Sequence, residues 1–426
     1  MPIHEGSDAR LRTRRCPCRG GGKLAKLVTP VNRALGKLRR TCRLRHAVLA
    51  RPLTLPRLQQ QEFVRALVIS TDAIDPAQRG KLRALEGMGC AVALAVPADW
   101  PPDGPKVEFG SDGGIKVAPI EVRGGEDPAS LRWRGGGLGR FLTEFRPDIV
   151  QVEGEPWWPV TTRAVRLAEK LKIPAVLAAS CSVSVPLGFA ERLRRNRSIK
   201  SARGFIGINR LAVDLLLRER PGVPHAVIPL HGVSVPVLGR PRATRTSFDI
   251  GFIGRLVPER GLDLLIRATA RLRGDWSLTV VGTGPEQQEL EALAEKVGIG
   301  SRVRWLGGMP RHWLESVWPK LDCVVLPART TQRWVEPVGQ ALLDAMAQGL
   351  PVIGTESGVL PEIIGDAGIV VGEDDPDVLG LALERLQTMP DEQARLGAAG
   401  RRRVMAEYVD DAIARKTLAF WRNTLT

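Results

Sequence analysis

From residue 65 onward, short apolar runs alternate with segments in which apolar residues recur every three or four positions. The runs Arg65–Ser70, Cys90–Pro97, Ile115–Val122, Asp148–Val152, Pro174–Ala179, Gly204–Asn209 and Ala226–Leu230 read as strands. Segments such as Leu131–Phe145, Thr161–Leu171 and Leu211–Arg220 read as helices between them. A second series has strands at Asp249–Gly254, Ser277–Gly282, Val303–Leu306, Cys323–Pro327, Pro351–Thr355 and Gly368–Val371. Its helices are predicted over Leu262–Arg273, Gln287–Val297, Trp313–Trp318, Gln340–Gln348, Asp377–Gln387, Glu392–Glu407 and Asp410–Thr424. Strands that are apolar on both faces and joined by helices belong in parallel sheets covered on both sides. The pattern predicts an α/β chain of two doubly wound, Rossmann-like parallel-sheet domains facing a cleft, with ligands beyond the strand C-termini. The domains are expected over residues 61–236 and 248–408, joined by a linker over 237–247 and closed by a helix over 409–426.

Composition changes this picture at one end. The chain has 426 residues and a net charge of +16, but residues 1–60 hold 15 Lys and Arg against Glu5 and Asp8. The remainder is close to neutral, with 47 basic and 44 acidic residues, so its partners need not be acidic. Residues 1–60 carry no aromatic side chain and are broken by Gly20, Gly21, Gly22, Pro30, Pro52 and Pro56. A disordered basic extension is expected there. Val31, Leu35, Leu38 and Cys42, flanked by arginines, also allow an amphipathic helix in peripheral contact with an anionic membrane. Specific nucleic-acid binding is not expected, because no aromatics are interleaved for base stacking. The six cysteines are scattered, and no apolar run is long enough for a membrane span, which points to a cytoplasmic protein, at most peripheral at the inner membrane face.

Candidate chemistry centres on residues 334–355. Trp334-Val335-Glu336-Pro337-Val338-Gly339 reads as a loop, Gln340–Gln348 as a helix, and Pro351–Thr355 as a buried strand. Glu336 lies at the helix mouth and Asp344 eight residues on, about 12 Å along the axis at the usual rise. Two fixed acceptors at that separation suit a ligand with hydroxyls at both ends. The helix N-terminus between them, with Gly339 permitting close approach, suits an anion.

This string resembles the donor-sugar signature of family 4 of the retaining, GT-B-fold glycosyltransferases. The resemblance implies that Glu336 holds hydroxyls of the donor sugar and that Asp344, where Glu is usual, holds the nucleotide ribose. It makes residues 61–236 the acceptor domain, residues 248–408 the nucleotide-sugar donor domain, and the 409–426 helix a return to the first domain. Gly254-Arg255-Leu256 with Arg260-Gly261 is similar to the family's phosphate-binding turn. Two cations beside one loop stabilise the charge that grows on a departing diphosphate, which places Arg255 and Arg260 with Glu336 as catalytic candidates. The turn with Gly282 and Gly284 and the segment Glu356-Ser357-Gly358-Val359 are further donor-side candidates, with Val359 where the family has a second glycine.

The acceptor side is less marked. Gln151-Val152-Glu153-Gly154-Glu155-Pro156-Trp157-Trp158 brings two acids and two indoles to the end of a strand, making Glu153, Glu155 and Trp157 candidates for holding an acceptor hydroxyl or stacking on a sugar. The implied function is a retaining, metal-independent glycosyltransferase, without cofactor, moving a sugar from a nucleotide-diphosphate sugar to a glycan, lipid-linked or small-molecule hydroxyl. No histidines are paired at ligand spacing to hold a metal. Two other readings stay open: a sugar phosphorylase or epimerase on the same fold, and a degenerate GT-B protein that binds nucleotide or a partner without turnover.

Overall fold

The computed structural model describes residues 63–100, 107–237 and 247–426. The basic extension expected over 1–60, with its amphipathic segment, and residues 238–246 of the expected linker lie outside the described residues.

The first domain contains β1 (Arg65–Ser70), β2 (Ala91–Pro97), β3 (Gly110–Asp112), β4 (Ile115–Ile120), β5 (Val122–Arg123), β6 (Arg132–Trp133), β7 (Ile149–Glu153), β8 (Ala175–Ala179), β9 (Gly204–Gly207) and β10 (His225–Val227). Its helices are α1 (Gly80–Gly87), α2 (Gly137–Phe145), α3 (Pro159–Lys170), α4 (Phe189–Ser201) and α5 (Arg210–Glu219). Eight of the strands form one sheet in the order β10-β9-β8-β7-β1-β2-β4-β3, parallel except for β3, while β5 and β6 make a separate ribbon. The chain winds outward from β1 through β2, then returns to β7 and winds the other way. The order therefore reverses between β1 and β7, where Ser70 lies beside Glu153. Crevices that bind ligands open at such points.

The second domain has β11 (Phe248–Ile253), β12 (Trp276–Val281), β13 (Val303–Trp305), β14 (Cys323–Leu326), β15 (Val352–Thr355) and β16 (Ile369–Val371) in the all-parallel order β13-β12-β11-β14-β15-β16. Its reversal falls between β11 and β14, in register at Gly251 and Val324. Helices α6 (Leu262–Thr269), α7 (Gln287–Lys296), α8 (Gln340–Ala347), α9 (Leu360–Ile364), α10 (Pro376–Thr388) and α11 (Pro390–Glu407) cover this sheet. The strands are buried because both faces carry apolar side chains, as Ile250, Phe252, Leu278, Val280, Val324 and Ile353 illustrate.

Helix α12 (Asp410–Leu425) leaves the second domain and packs into the first. Ile413, Ala414, Leu418, Phe420 and Trp421 join the core formed by Val68, Leu94 and their neighbours. The Trp421 indole N–H donates to Gln151 Oε1 at 2.9 Å, and Gln151 Nε2 donates to Glu153 Oε1 at 2.8 Å. At the start of α12, Asp410 Oδ1 accepts from the Gly232 amide at 3.1 Å, fastening the returning chain to the end of the first domain.

Local departures from the pattern have physical causes. Helix α2 begins at Gly137 because Arg132 and Trp133 pair with Val122 and Arg123 instead of coiling. The helix expected over Trp313–Trp318 is wound as 3-10 turns at Arg311–Ser316 and Trp318–Lys320, where Pro310 and Pro319 limit α-helical hydrogen bonding. Helix α4 is absent from the predicted series because Phe189, Leu193 and Ile199 do not form a core-facing stripe.

Candidate active site

On the β11 side of the reversal point in the second sheet, three loops that follow strands are tied together. Gly254 N donates to Val281 O at 3.0 Å, Leu256 N to Thr283 O at 2.9 Å, and Gly282 N to Gly307 O at 2.8 Å, so the ends of β11, β12 and β13 are joined by backbone bonds. Gly284 lies against the Leu256 backbone so closely that a Cβ would overlap it. Arg255, on this rim, is exposed and makes no ion pair or side-chain hydrogen bond among the described residues. Arg260, on the next turn, is half-buried.

Arg260 meets Glu336. The guanidinium Nη1 donates to Glu336 Oε2, and its plane lies over the Trp334 ring, 5.4 Å from the centroid. The Arg260 Nε–H is buried and has no partner. Glu336 is only 1% exposed, and its other carboxylate oxygen accepts from Gly339 N at 2.9 Å. Gly339 stands before α8 with φ +64, and a Cβ there would come within 2.9 Å of Leu360 and Ile363. The carboxylate therefore does two local jobs, compensating one cation and satisfying a free amide at a helix N-terminus. The turn at Gly358 (φ +56) lies against the Glu336 backbone, where a Cβ would clash with it. Val359 N donates to Glu336 O at 3.0 Å, so the amide of this donor-side candidate is committed to the loop.

Asp344 lies farther along α8, largely buried. Its Oδ1 accepts from Arg311 Nη2 at 2.5 Å and from Gln340 Nε2 at 2.9 Å. Burial pushes its carboxyl above the usual range, while Arg311 and Gln340 pull it back. Trp305 and Trp334 are half-buried and pack against the second-domain core, so the two indoles frame the loops rather than project from them.

The two domains face each other across a cavity of about 410 Å³ lined by Asp72, Ser180, His231, Pro337, Val338 and Gln340 among others. Asn209, 1% exposed at the end of β9, bridges it. Its Nδ2 donates to Pro337 O at 2.8 Å and to Ser182 Oγ at 2.7 Å, and its Oδ1 accepts from Ala212 N at 2.8 Å, capping α5. His231 Nδ1 faces Gln78 O at 3.3 Å and its Nε2 lies 3.8 Å from Asp72. The imidazole holds the Asp72 carboxyl below its ordinary range.

The acceptor-side candidates separate. Glu153 is buried with its carboxylate on Lys81 and Gln151, inside the first domain. Glu155 is also buried, yet only its Oε1 is satisfied, by Ser180 N at 2.9 Å and Cys181 N at 2.8 Å. Its Oε2 has no partner, and burial raises its pKa to about 7. Trp157 is half-buried and lines a groove with Glu155. The catalytic and donor candidates Gly254, Arg255, Arg260, Gly282, Gly284, Glu336, Gly339, Asp344 and Gly358 thus lie on the loops and helix of the second domain, while Glu155 and Trp157 line a separate groove of the first. Asn209, Arg311 and Lys81 carry no local motif, and only their partners reveal them. Among the described residues, no group of three His, Cys, Asp or Glu side chains could hold a metal ion, and no helix is long and apolar enough to cross a membrane.

Two parallel-sheet domains of this kind, joined by a returning C-terminal helix, make up the two-domain GT-B fold. Residues 240–403 match the model for Glycosyl transferases group 1 and residues 74–231 that for a Glycosyl transferase 4-like domain. Among solved structures, the sucrose-phosphate synthase of Thermosynechococcus elongatus superposes with a TM-score of 0.62 at 18% identity, covering 84% of this chain and 98% of that one. HepE of Anabaena in complex with UDP gives 0.63 at 14% identity, covering 85% and 100%. In sequence, the GDP-mannose-dependent alpha-(1-6)-phosphatidylinositol monomannoside mannosyltransferase of Mycolicibacterium smegmatis is 36% identical over 156 residues, 35% of this chain and 41% of the relative. The monoacylated-substrate counterpart from Corynebacterium glutamicum is 37% identical over 171 residues, 39% and 44%. The chain thus spans less than half the length of these curated relatives.

Proposed function

We propose that the chain transfers a sugar, with retention of anomeric configuration and without a metal ion, from a nucleotide-diphosphate sugar to an acceptor hydroxyl. The observation that carries this reading is the pair of arginines on the loop after β11, one of which reaches the mouth of α8 through Glu336. Arg255 makes no ion pair or side-chain hydrogen bond among the described residues, and Arg260 keeps a buried, unsatisfied N–H while its charge is fixed by Glu336. Cations pre-positioned beside a helix N-terminus stabilise a diphosphate as it takes on charge. In the reaction, the bond from the anomeric carbon to the β-phosphate oxygen breaks and the acceptor oxygen bonds to the same face of that carbon. The acceptor's proton passes to the leaving phosphate, so no dedicated base is required. Asp344, with Oδ1 clamped by Arg311 and Gln340, would present Oδ2 to the ribose. A guanosine diphosphate sugar is the first donor to test, because the relatives named above depend on GDP-mannose.

A second reading, nucleotide binding without turnover, is favoured by one feature. Glu336 and Asp344 already hold Arg260 and Arg311, leaving their carboxylates less free for sugar and ribose hydroxyls. A thermal-shift screen against guanosine, uridine and adenosine diphosphates and their hexose conjugates separates these readings. A stabilising nucleotide whose sugar conjugate is consumed with an acceptor supports transfer. Stabilisation without consumption supports the second reading, and no stabilisation defeats both.

A further inference from the structure

Helix α4 is the most basic element of the first domain and buries only Ser198 and Ile199, being held on its inner side by Arg194, Arg195, Ser198 and Ser201. Its positions 189, 192, 193, 196, 197 and 200 follow the i, i+3, i+4, i+7, i+8, i+11 spacing of a single face, and all six are exposed. Phe189 is 86% exposed and Leu193 58%, one helical turn apart. Around them Arg192, Arg197 and Lys200 make no side-chain ion pair or hydrogen bond among the described residues. Two apolar side chains are too few for a stable protein interface, which needs roughly 800 Å² from each partner. A layer of anionic headgroups over an apolar interior accepts this combination, since cations stay at the charge layer while Phe and Leu sink just below it.

The neighbouring edge of α4, through Arg195 and Ile199, walls the groove that also contains Glu155. Val183, Val185, Leu187 and Leu216 make its sides apolar, and Arg195 and Arg218 stand at its rim. On this groove Glu155 is at least nine-tenths buried, with one carboxylate oxygen fixed by two amides and the other lacking any partner. An orphaned buried oxygen of this kind is costly unless a ligand donates to it.

We propose that α4 seats the protein on an anionic lipid bilayer through Phe189 and Leu193, and that the groove behind it receives a hydroxylated lipid headgroup whose hydroxyl donates to Glu155 Oε2. In naming a membrane lipid as the acceptor class this rests on the transfer reading above, whereas the docking itself does not. If the nucleotide screen fails, the vesicle results still stand or fall by themselves.

The experiment is co-sedimentation of the full chain with phosphatidylcholine vesicles that contain phosphatidylglycerol, phosphatidylmethanol or no anionic lipid. Binding to both anionic vesicles should persist in part at high salt. Phe189→Ser with Leu193→Ser should weaken it at least roughly tenfold at every salt concentration. Neutralising Arg192, Arg197 and Lys200 to Gln should lose roughly fivefold per residue at low salt. Phosphatidylglycerol should be preferred over phosphatidylmethanol, which has the same charge and no headgroup hydroxyl, and Glu155→Leu should erase that preference. Undiminished binding by the Phe189/Leu193 variant, with its circular dichroism unchanged, would transfer the contact to residues 1–60 and overturn the proposal. Equal binding to the two anionic lipids would remove Glu155 from it. Stabilisation by monomeric short-chain phosphatidylglycerol without vesicle binding would identify a free-amphiphile site and overturn the bilayer.

Discussion

The guanidinium of Arg260 and the carboxylate of Glu336 come from positions 76 residues apart and close on each other at the N-terminus of α8, the acid almost fully buried. The pair makes the cation at the phosphate turn depend on an acid in a different loop. Anything that disturbs Glu336 should disturb Arg260 as well.

Glu336→Ala is therefore expected to do more than remove a sugar contact. It leaves a half-buried guanidinium uncompensated and the Gly339 amide without its acceptor, at a combined cost of about 3–5 kcal/mol. Urea denaturation should register that loss. Titration calorimetry should show nucleoside diphosphate affinity falling together with transfer. Wild-type affinity in a folded Glu336→Ala protein would disconnect Arg260 from the phosphate.

Arg255→Ala should behave in the opposite way. The side chain is exposed and unpaired, so stability should stay within about 0.5 kcal/mol of wild type. A lost charge-assisted hydrogen bond should nevertheless weaken nucleoside diphosphate binding by about tenfold or more. Calorimetry with unchanged affinity would take Arg255 out of the site.

Glu155 supplies a pH dependence. Burial raises its native pKa to about 7, above an unfolded value near 4.3. The native state therefore holds the proton more tightly than the unfolded chain. This group's contribution is undiminished below about pH 4, declines as pH climbs, and levels off above about 7 after a loss of at most about 4 kcal/mol. Glu155→Gln should match wild type at pH 4 and exceed it in stability at pH 8, as measured by denaturation at a series of pH values. A constant difference across that range would contradict the assignment.

Lys81 and Glu153 form a buried pair joined through Gln151 to Trp421. Lys81→Met should cost about 3–5 kcal/mol by stranding the carboxylate, and adding Glu153→Leu should recover most of it. A double variant as unstable as the single one would mean that the packing, not the charge, matters there.

Asn209→Asp tests the contact between the domains. The carboxylate keeps the cap on α5 but cannot donate to Pro337 O, which neighbours Glu336. Burying that charge against an acceptor should cost about 2 kcal/mol or more of stability, and kcat of the folded variant should drop about tenfold as the loop loses its anchor. An unaltered kcat would show that the loop keeps its position unaided.

The two-domain α/β architecture was legible because most apolar strands are followed by a turn and an amphipathic segment, and burial on both sheet faces enforces that alternation. The loop–helix–strand at 334–355 was legible for the same reason: Gly339, Gly349 and Pro351 punctuate it. What the side chains do there was not. The pairing of Arg260 with Glu336 and of Arg311 with Asp344 is set by how distant loops meet, and neither partner has a local signal. Glu153 and Glu155 look equivalent in the sequence, two residues apart. In the fold, β7 ends at Glu153 and the bend at Gly154 takes the chain out of the strand, so that one acid meets Lys81 and the other keeps an open oxygen. Helix α4 was hidden because its apolar residues point outward, against the pattern that marks a packed helix.

Helix α12 has a consequence for how the molecule is made. The hydrogen bond from Trp421 to Gln151 spans 270 residues, and Trp421 is fully buried in the core of the first domain. During synthesis, the domain that leaves the ribosome first cannot close its interior until residues 410–425 have emerged. Until then the groove for α12 lies open beside Val68 and Leu94, and such transiently uncovered apolar surface is what chaperones bind. The domain translated first is the one completed last.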